Sequence, residues 1–300
     1  MKTESCYSMK RYILFVIILC FLLGGCIQTQ PSAQITATTL PVWEFTSRLC
    51  DGTGITVARL VTESVSCLHD YTLQVGQMRS IEAADLVVVS GAGLEEFLHD
   101  ALHDADSIID ASKGIELICP VGDHDHEHDD HGHHHENDPH IWLSPANAAV
   151  MVQNICDGLT AQYPQHAEAF QENLTGLLAD LEALDTYGKE QLKNLSCREI
   201  ITFHDGFAYL AEHYGLNILR AVEEESGSEA SAAELIELIE EVEHHHLPAI
   251  FIEANGADAA ARTISAETGA EIFTLDMAMA GDSYFDAMYR NIDTLKEALE

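Results

Sequence analysis

Positive charge is scarce in this sequence. Only 14 Lys and Arg stand against 50 Asp and Glu in 300 residues, a formal charge of −36 with histidine neutral. Such a chain repels phosphate backbones, which excludes nucleic acid as a partner, and it attracts cations. No Cys-x-x-Cys pair occurs among the eight cysteines, so a cysteine zinc knuckle is excluded. His-Glu-x-x-His and Gly-x-Ser-x-Gly are also absent, and with them two common hydrolase signatures. What the chain does have is apolar material, 47% of its residues, enough for real cores and for two modest domains.

Lys10 and Arg11 precede "YILFVIILCFLLGGC", an apolar run that ends in small residues and Cys26. A basic start, a short apolar run and small residues describe a secretory signal, here over residues 1–25. The ending "LGGC" resembles the bacterial lipobox. That likeness implies that the Cys26 thiol carries lipid and begins the mature chain, anchoring it on the outer face of a bacterial membrane. A plain signal peptide or a membrane anchor is the alternative. Residues 26–33 then form a polar tether. Beyond the signal remain Cys50, Cys67, Cys119, Cys156 and Cys197. They leave room for one disulfide; buried free thiols are expected for most of them.

From residue 34 short β-rich runs alternate with helical patterns: "QITATTL", "ITVARLV", "DLVVVSG" and "SIIDAS" between "PVWEFTSRLC", "LQVGQMRSIEAA" and the amphipathic "LEEFLHDALHD". Alternation of this kind predicts a parallel sheet covered by helices. Ser144 and Pro145 supply a helix cap and first turn. Helical periodicity then continues to about residue 195, with a break near Tyr163–Pro164. The second piece, 165–193, would run roughly 43 Å at 1.5 Å per residue. Strand–helix alternation resumes at Arg198 and closes on the helix "YFDAMYRNIDTLKEALE". The fold class is α/β in two lobes, each a parallel sheet flanked by helices, joined by a long backbone helix. The boundaries are 34–164 for the first lobe, 165–195 for the linking helix and 196–300 for the second lobe. Ligands in such folds sit at the carboxyl ends of strands, in the cleft between lobes.

Metal-capable groups stand at those ends. His204 closes "EIITFH", Glu253 lies near the end of "AIFIEA" and Asp276 ends "EIFTLD". His69 follows a strand in the first half, and His140 precedes the capped helix. Each alone has a plainer reading: Asp276 as a helix cap, Glu253 as half of a buried pair, a lone histidine as an ordinary core or surface residue. His99, His103, His166 and His213 take that plainer reading, as do His244, His245 and His246 at the end of an acidic helix. Between the halves lies "DHDHEHDDHGHHHEN", residues 123–137, with His124, His126, His128, His131, His133, His134 and His135. This segment cannot bury enough apolar surface to fold and is expected to be a mobile loop that collects weakly held divalent ions.

Four motifs, in order, carry a specific resemblance: "HDY" at 69–71 followed by "ADLVVVSGAGLE", "DPHIWLSP" at 138–145, "TFHDGFAYLAEHYGL" at 202–216, and "TLD" followed by the closing helix. Together they resemble the metal-binding solute receptors of bacterial ABC importers, the zinc and manganese uptake family. The likeness covers nearly all of the chain after residue 34. It implies His69, His140, His204 and Asp276 as metal ligands, with Glu253 beside them. Where the family often carries an acidic-proline context at the first ligand, this chain has "SCLHDYTLQ", with Cys67 two residues from His69.

Three imidazoles and a carboxylate suit Zn2+ better than Mn2+, which takes more oxygen. In the resembling family, manganese binders tend to carry a glutamate where this chain has His204. Binding should weaken below about pH 6.5, because a ligating imidazole must be neutral. The expected function is a monomeric, lipid-anchored, extracytoplasmic receptor that hands Zn2+ to an ABC permease, with no catalysis. A manganese receptor of the same family, a secreted zinc hydrolase using Glu253 as base, and a metal buffer or adhesin relying on the histidine loop alone are the alternatives.

Overall fold

The computed structural model describes residues 33–63, 68, 71–102, 107–119, 137–223, 231–254 and 258–300. Among the described residues eight short strands build two sheets. The first holds β1 (Ile35–Ala37), β2 (Val57–Arg59), β3 (Leu86–Val89) and β4 (Ile108–Asp110) in the order β2-β1-β3-β4. The second holds β5 (Glu199–His204), β6 (Asn217–Glu223), β7 (Ala249–Glu253) and β8 (Glu271–Leu275) in the order β6-β5-β7-β8. Every pairing is parallel, and the two halves repeat one strand order. A central parallel strand is covered on both faces, and β3, Leu-Val-Val-Val, is apolar and buried throughout rather than alternating. Leu86 and Val88 of β3 enter one core while Val87 and Val89 enter another, on the opposite face.

Nine α-helices clothe the sheets among the described residues. In the first half these are α1 (Leu40–Leu49), α2 (Val75–Glu82) and α3 (His99–Leu102). Two helices connect the halves, α4 (Pro145–Gln162) and α5 (Ala167–Gln191). The second half carries α6 (Ala208–Tyr214), α7 (Ala232–His245), α8 (Ala259–Thr268) and α9 (Tyr284–Leu299). None of the described helices is long and apolar enough to cross a membrane.

The start of α4 follows the sequence signal: Ser144 Oγ accepts the Asn147 N–H at 3.4 Å, and Pro145 opens the first turn. The break also falls as expected, where Pro164 begins a 3-10 turn to His166. That turn delays α5 to residue 167, and its 25 residues span about 37 Å rather than 43 Å. Leu174, Leu177, Leu181 and Leu184 form its buried stripe at helical spacing.

The stripe belongs to one apolar core that runs from Ile35 through α4 and α5 to Leu299, so both sheets share it. A compact unit from Ala33 to Glu300 results. His213 of α6 fastens the same region. Its Nε2 lies 2.6 Å from Asp185 Oδ1 on α5, and its Nδ1 lies 3.1 Å from the capping Ser144 Oγ. The plain structural reading of His213 is therefore sufficient.

One stretch departs from expectation. "LEEFLHDALHD" is not a single helix but a 3-10 turn, Glu96–Leu98, running into the short α3. The cause is Glu95. Its buried carboxylate reaches back to the strand ends and accepts the Ser90 N–H at 2.7 Å, the Gly91 N–H at 3.0 Å and the Thr38 hydroxyl at 2.6 Å. Burial pushes this carboxyl up to about 7, against the pull of those three donors. The four described cysteines are free thiols; Cys50 and Cys156 are buried as expected, whereas Cys119 is exposed and Cys197 half-buried.

Candidate metal centre

His204 is the last residue of β5 and is buried. Thr202 pairs with Phe251 across β5 and β7, and Glu253 pairs with Leu275 across β7 and β8. Two residues on from the first pair, His204 and Glu253 therefore end neighbouring strands at one level, and Asp276 follows directly after β8. All three stand on the carboxyl edge of the second sheet, where parallel sheets present ligands. Glu253 is buried there. His204 Nδ1 lies 3.8 Å from Asp205 Oδ1.

His140 comes from the end of the first half, just before a 3-10 turn of Ile141, Trp142 and Leu143. Its ring meets that of His204 edge to face, centroids 5.3 Å apart. The buried Asp138 fixes this ring: Oδ1 accepts the His140 backbone N–H and contacts Nδ1, both at 2.8 Å. With a carboxylate at Nδ1, the proton sits on that nitrogen and Nε2 presents its lone pair. This is the arrangement in which an imidazole is oriented to hold a metal.

The two histidines approach because Gly206 has no side chain. A Cβ there would lie 2.7 Å from His140 Nδ1 and 2.5 Å from Met277 Cε. The loop that follows Asp276 is drawn in as well. Trp142 Nε1 donates to Met277 O at 2.8 Å, and Tyr284 Oη donates to Trp142 O at 2.8 Å.

Asp276 is held differently. Its Oδ1 accepts the Ala278 N–H at 2.8 Å and its Oδ2 accepts Arg290 Nη2 at 3.0 Å. The structure thus brings His140 and His204 together and leaves the Asp276 carboxylate on Arg290. Among the described residues no three His, Cys, Asp or Glu side chains converge closely enough to hold a metal ion. His69, Cys67, the polyhistidine run from His124 to His135, the signal segment and Cys26 lie outside the described residues. Of the remaining histidines, His245 Nδ1 lies 2.9 Å from Glu199, a local structural pair.

Sequence reasoning passed over Asp138, although it stands two residues before His140 in "DPHIW". It also passed over Gly206, Trp142 and Arg290, whose roles depend on contacts between distant segments.

Two parallel sheets of one strand order, joined by long helices and meeting at a histidine from each half, define the class of the two-lobed α/β binding protein. The profile of the family described as "Zinc-uptake complex component A periplasmic" matches residues 35–298, and the chain belongs to that family. It is 33% identical, over 311 aligned residues, to the zinc-binding lipoprotein AdcA of Streptococcus pneumoniae. That alignment takes in 97% of this chain and 62% of the pneumococcal one, so the chain spans less than two thirds of that relative's length. With the high-affinity zinc uptake system protein ZnuA of Bacillus subtilis it shares 32% identity, covering 95% of this chain and 97% of that one. The crystal structure of the Zn(II)-bound ZnuA-like domain of S. pneumoniae AdcA superimposes with a TM-score of 0.74 at 30% identity, over 88% of this chain and 98% of that domain.

Proposed function

We propose that this chain is the extracytoplasmic, solute-binding component of an ABC importer, capturing Zn2+ and delivering it to a membrane permease. The observation that carries the reading is the buried His140–His204 pair, one ring from each half, with Asp138 aiming the His140 Nε2 lone pair. Family membership and zinc-binding relatives on either side of the comparison support it. His69 and Asp276 complete the proposed ligand set, and Glu253 stands beside it. A nitrogen-rich set without thiolate suits a cargo that must be both bound and released. The protein is a receptor and not a catalyst. Cys26 carries the lipid that tethers a monomer outside the membrane, and the histidine-rich loop collects ions near the site.

The test is a competition titration of the mature protein with Zn2+ and Mn2+ against a chromophoric chelator, repeated on His140→Ala and His204→Ala. One tight zinc equivalent, a weaker manganese affinity, and loss of the tight equivalent in each variant are expected. Tight zinc binding that survives both substitutions would place the site elsewhere.

A further inference from the structure

We infer that Arg290 sets the affinity of the metal site by competing with the ion for Asp276. The inference rests on Asp276 being a ligand, as proposed above. Asn291, 1% exposed, clamps the backbone of Asp276 from both sides: its Oδ1 accepts the Asp276 N–H at 2.8 Å and its Nδ2 donates to Asp276 O at 2.7 Å. With the backbone fixed, only the carboxylate can change partners. One oxygen is held by Ala278 N–H and the other by the Arg290 guanidinium.

A metal that takes Oδ2 therefore competes with a cation already hydrogen-bonded to that oxygen. The displacement is feasible because the two side chains differ in exposure, Asp276 at 27% and Arg290 at 62%. Arg290 can swing into water at small cost, whereas Asp276 stays at the strand end. Arg290 and Asn291 are neighbours on α9, so one helical turn both fixes the ligand's backbone and offers the counter-ion.

The same charge acts in the other direction. When the ion leaves, the guanidinium is at hand to take up the freed carboxylate, and while the ion is bound the two cations repel. Both effects lower the affinity and speed release, which a receptor handing its cargo onward requires. The pair is partly exposed and screened, so the effect is modest.

The test compares Zn2+ affinity and chelator-triggered Zn2+ release in the wild type, Arg290→Gln, Arg290→Lys, Asp276→Asn and the Asp276→Asn/Arg290→Gln double variant. Arg290→Gln should bind zinc roughly three- to fivefold more tightly and release it more slowly. Arg290→Lys, which keeps the charge, should stay near the wild type. In the Asp276→Asn background the Arg290 substitution should have a clearly smaller effect, because the competition for the carboxylate is gone and only the screened repulsion between the two cations remains. If Arg290→Gln weakens binding or leaves it unchanged while Asp276→Asn weakens it, the inference falls and the ligand assignment stands. If Asp276→Asn leaves zinc affinity unchanged, the ligand assignment falls and takes the inference with it.

Discussion

Gly206 leaves no room for a side chain where His140 meets the second half. Its backbone lies in a region any residue adopts, so alanine brings no φ strain there. The added Cβ would nevertheless lie 2.7 Å from Nδ1 and 2.8 Å from Cε1 of His140, closer than real Cβ contacts allow. Met277 Cε, at 2.5 Å, is the end of a flexible side chain and can move. The His140 ring cannot move as readily, because Asp138 pins it. Gly206→Ala should therefore lower zinc affinity by about tenfold or more, the cost typical of disturbing a group that orients a metal-bound histidine. Its effect on folding should be smaller, about 1–2 kcal/mol of overpacking. Competition titration beside a thermal melt separates the two; a large drop in melting temperature with zinc affinity intact would show that Gly206 serves the core alone. At this scale the sequence was legible where chemistry and position coincided. His140 and His204 each stand in a motif whose residues are contiguous, "DPHIWLSP" and "TFHDGFAYLAEHYGL". Asp138 was equally visible in "DPH" but was passed over, since its role rests on the contact it makes with the His140 ring. Arg290 stands 14 residues after Asp276 with no periodic relation to it, and only the fold brings them together.

The elements themselves were largely readable. Every strand run named from the sequence contains a strand, because each is a short β-rich run set between helical patterns; only the central β3 is also a continuous buried apolar run. The Ser144–Pro145 cap and the Pro164 break act through backbone chemistry local to a few residues, which a sequence displays directly. The stretch after Leu94 was misread because Glu95 bonds to strand ends that lie elsewhere in the chain. The same limit hid how the segment 276–284 is held. That segment follows β8 in the second half, yet first-half side chains grip it. Arg59 Nη1 donates to Gly281 O at 2.7 Å, Trp142 donates to Met277 O, and Glu44 of α1 accepts the Tyr284 N–H at 2.5 Å. Glu44 thereby caps α9 from across the molecule, supplying an acceptor to an N–H that has no partner within its own helix. Burial pushes its carboxyl above the ordinary range, while the Tyr284 N–H and Arg48 pull it down. Glu44→Ala should lower stability by about 1 kcal/mol, the usual value of a lost cap, and Glu44→Gln, which keeps an acceptor oxygen, by clearly less. Chemical denaturation of both variants checks this. Equal losses would mean that Glu44 acts by packing rather than by capping.

At the scale of the whole molecule the charge of −36 draws divalent cations toward the surface, and seven of the 17 histidines lie in one run from His124 to His135. Whether that run belongs to the tight site can be argued from its anchors. Asp138 N–H donates to Ile118 O at 2.9 Å, and Tyr209 Oη of α6 both accepts the Ile118 N–H at 3.2 Å and donates to Asp138 O at 3.1 Å. These bonds hold the two ends of the insertion side by side against the second half, independent of what lies between them. His140 and its orienting Asp138 are therefore fixed from the folded side. Deletion of residues 124–135 should accordingly leave one zinc equivalent bound with unchanged affinity and remove the additional weak equivalents. Equilibrium dialysis against graded zinc, with the stoichiometry counted at each level, reads both quantities. If the tight equivalent weakens along with the weak ones, a histidine of the run is itself a ligand, and the ligand set proposed above is incomplete.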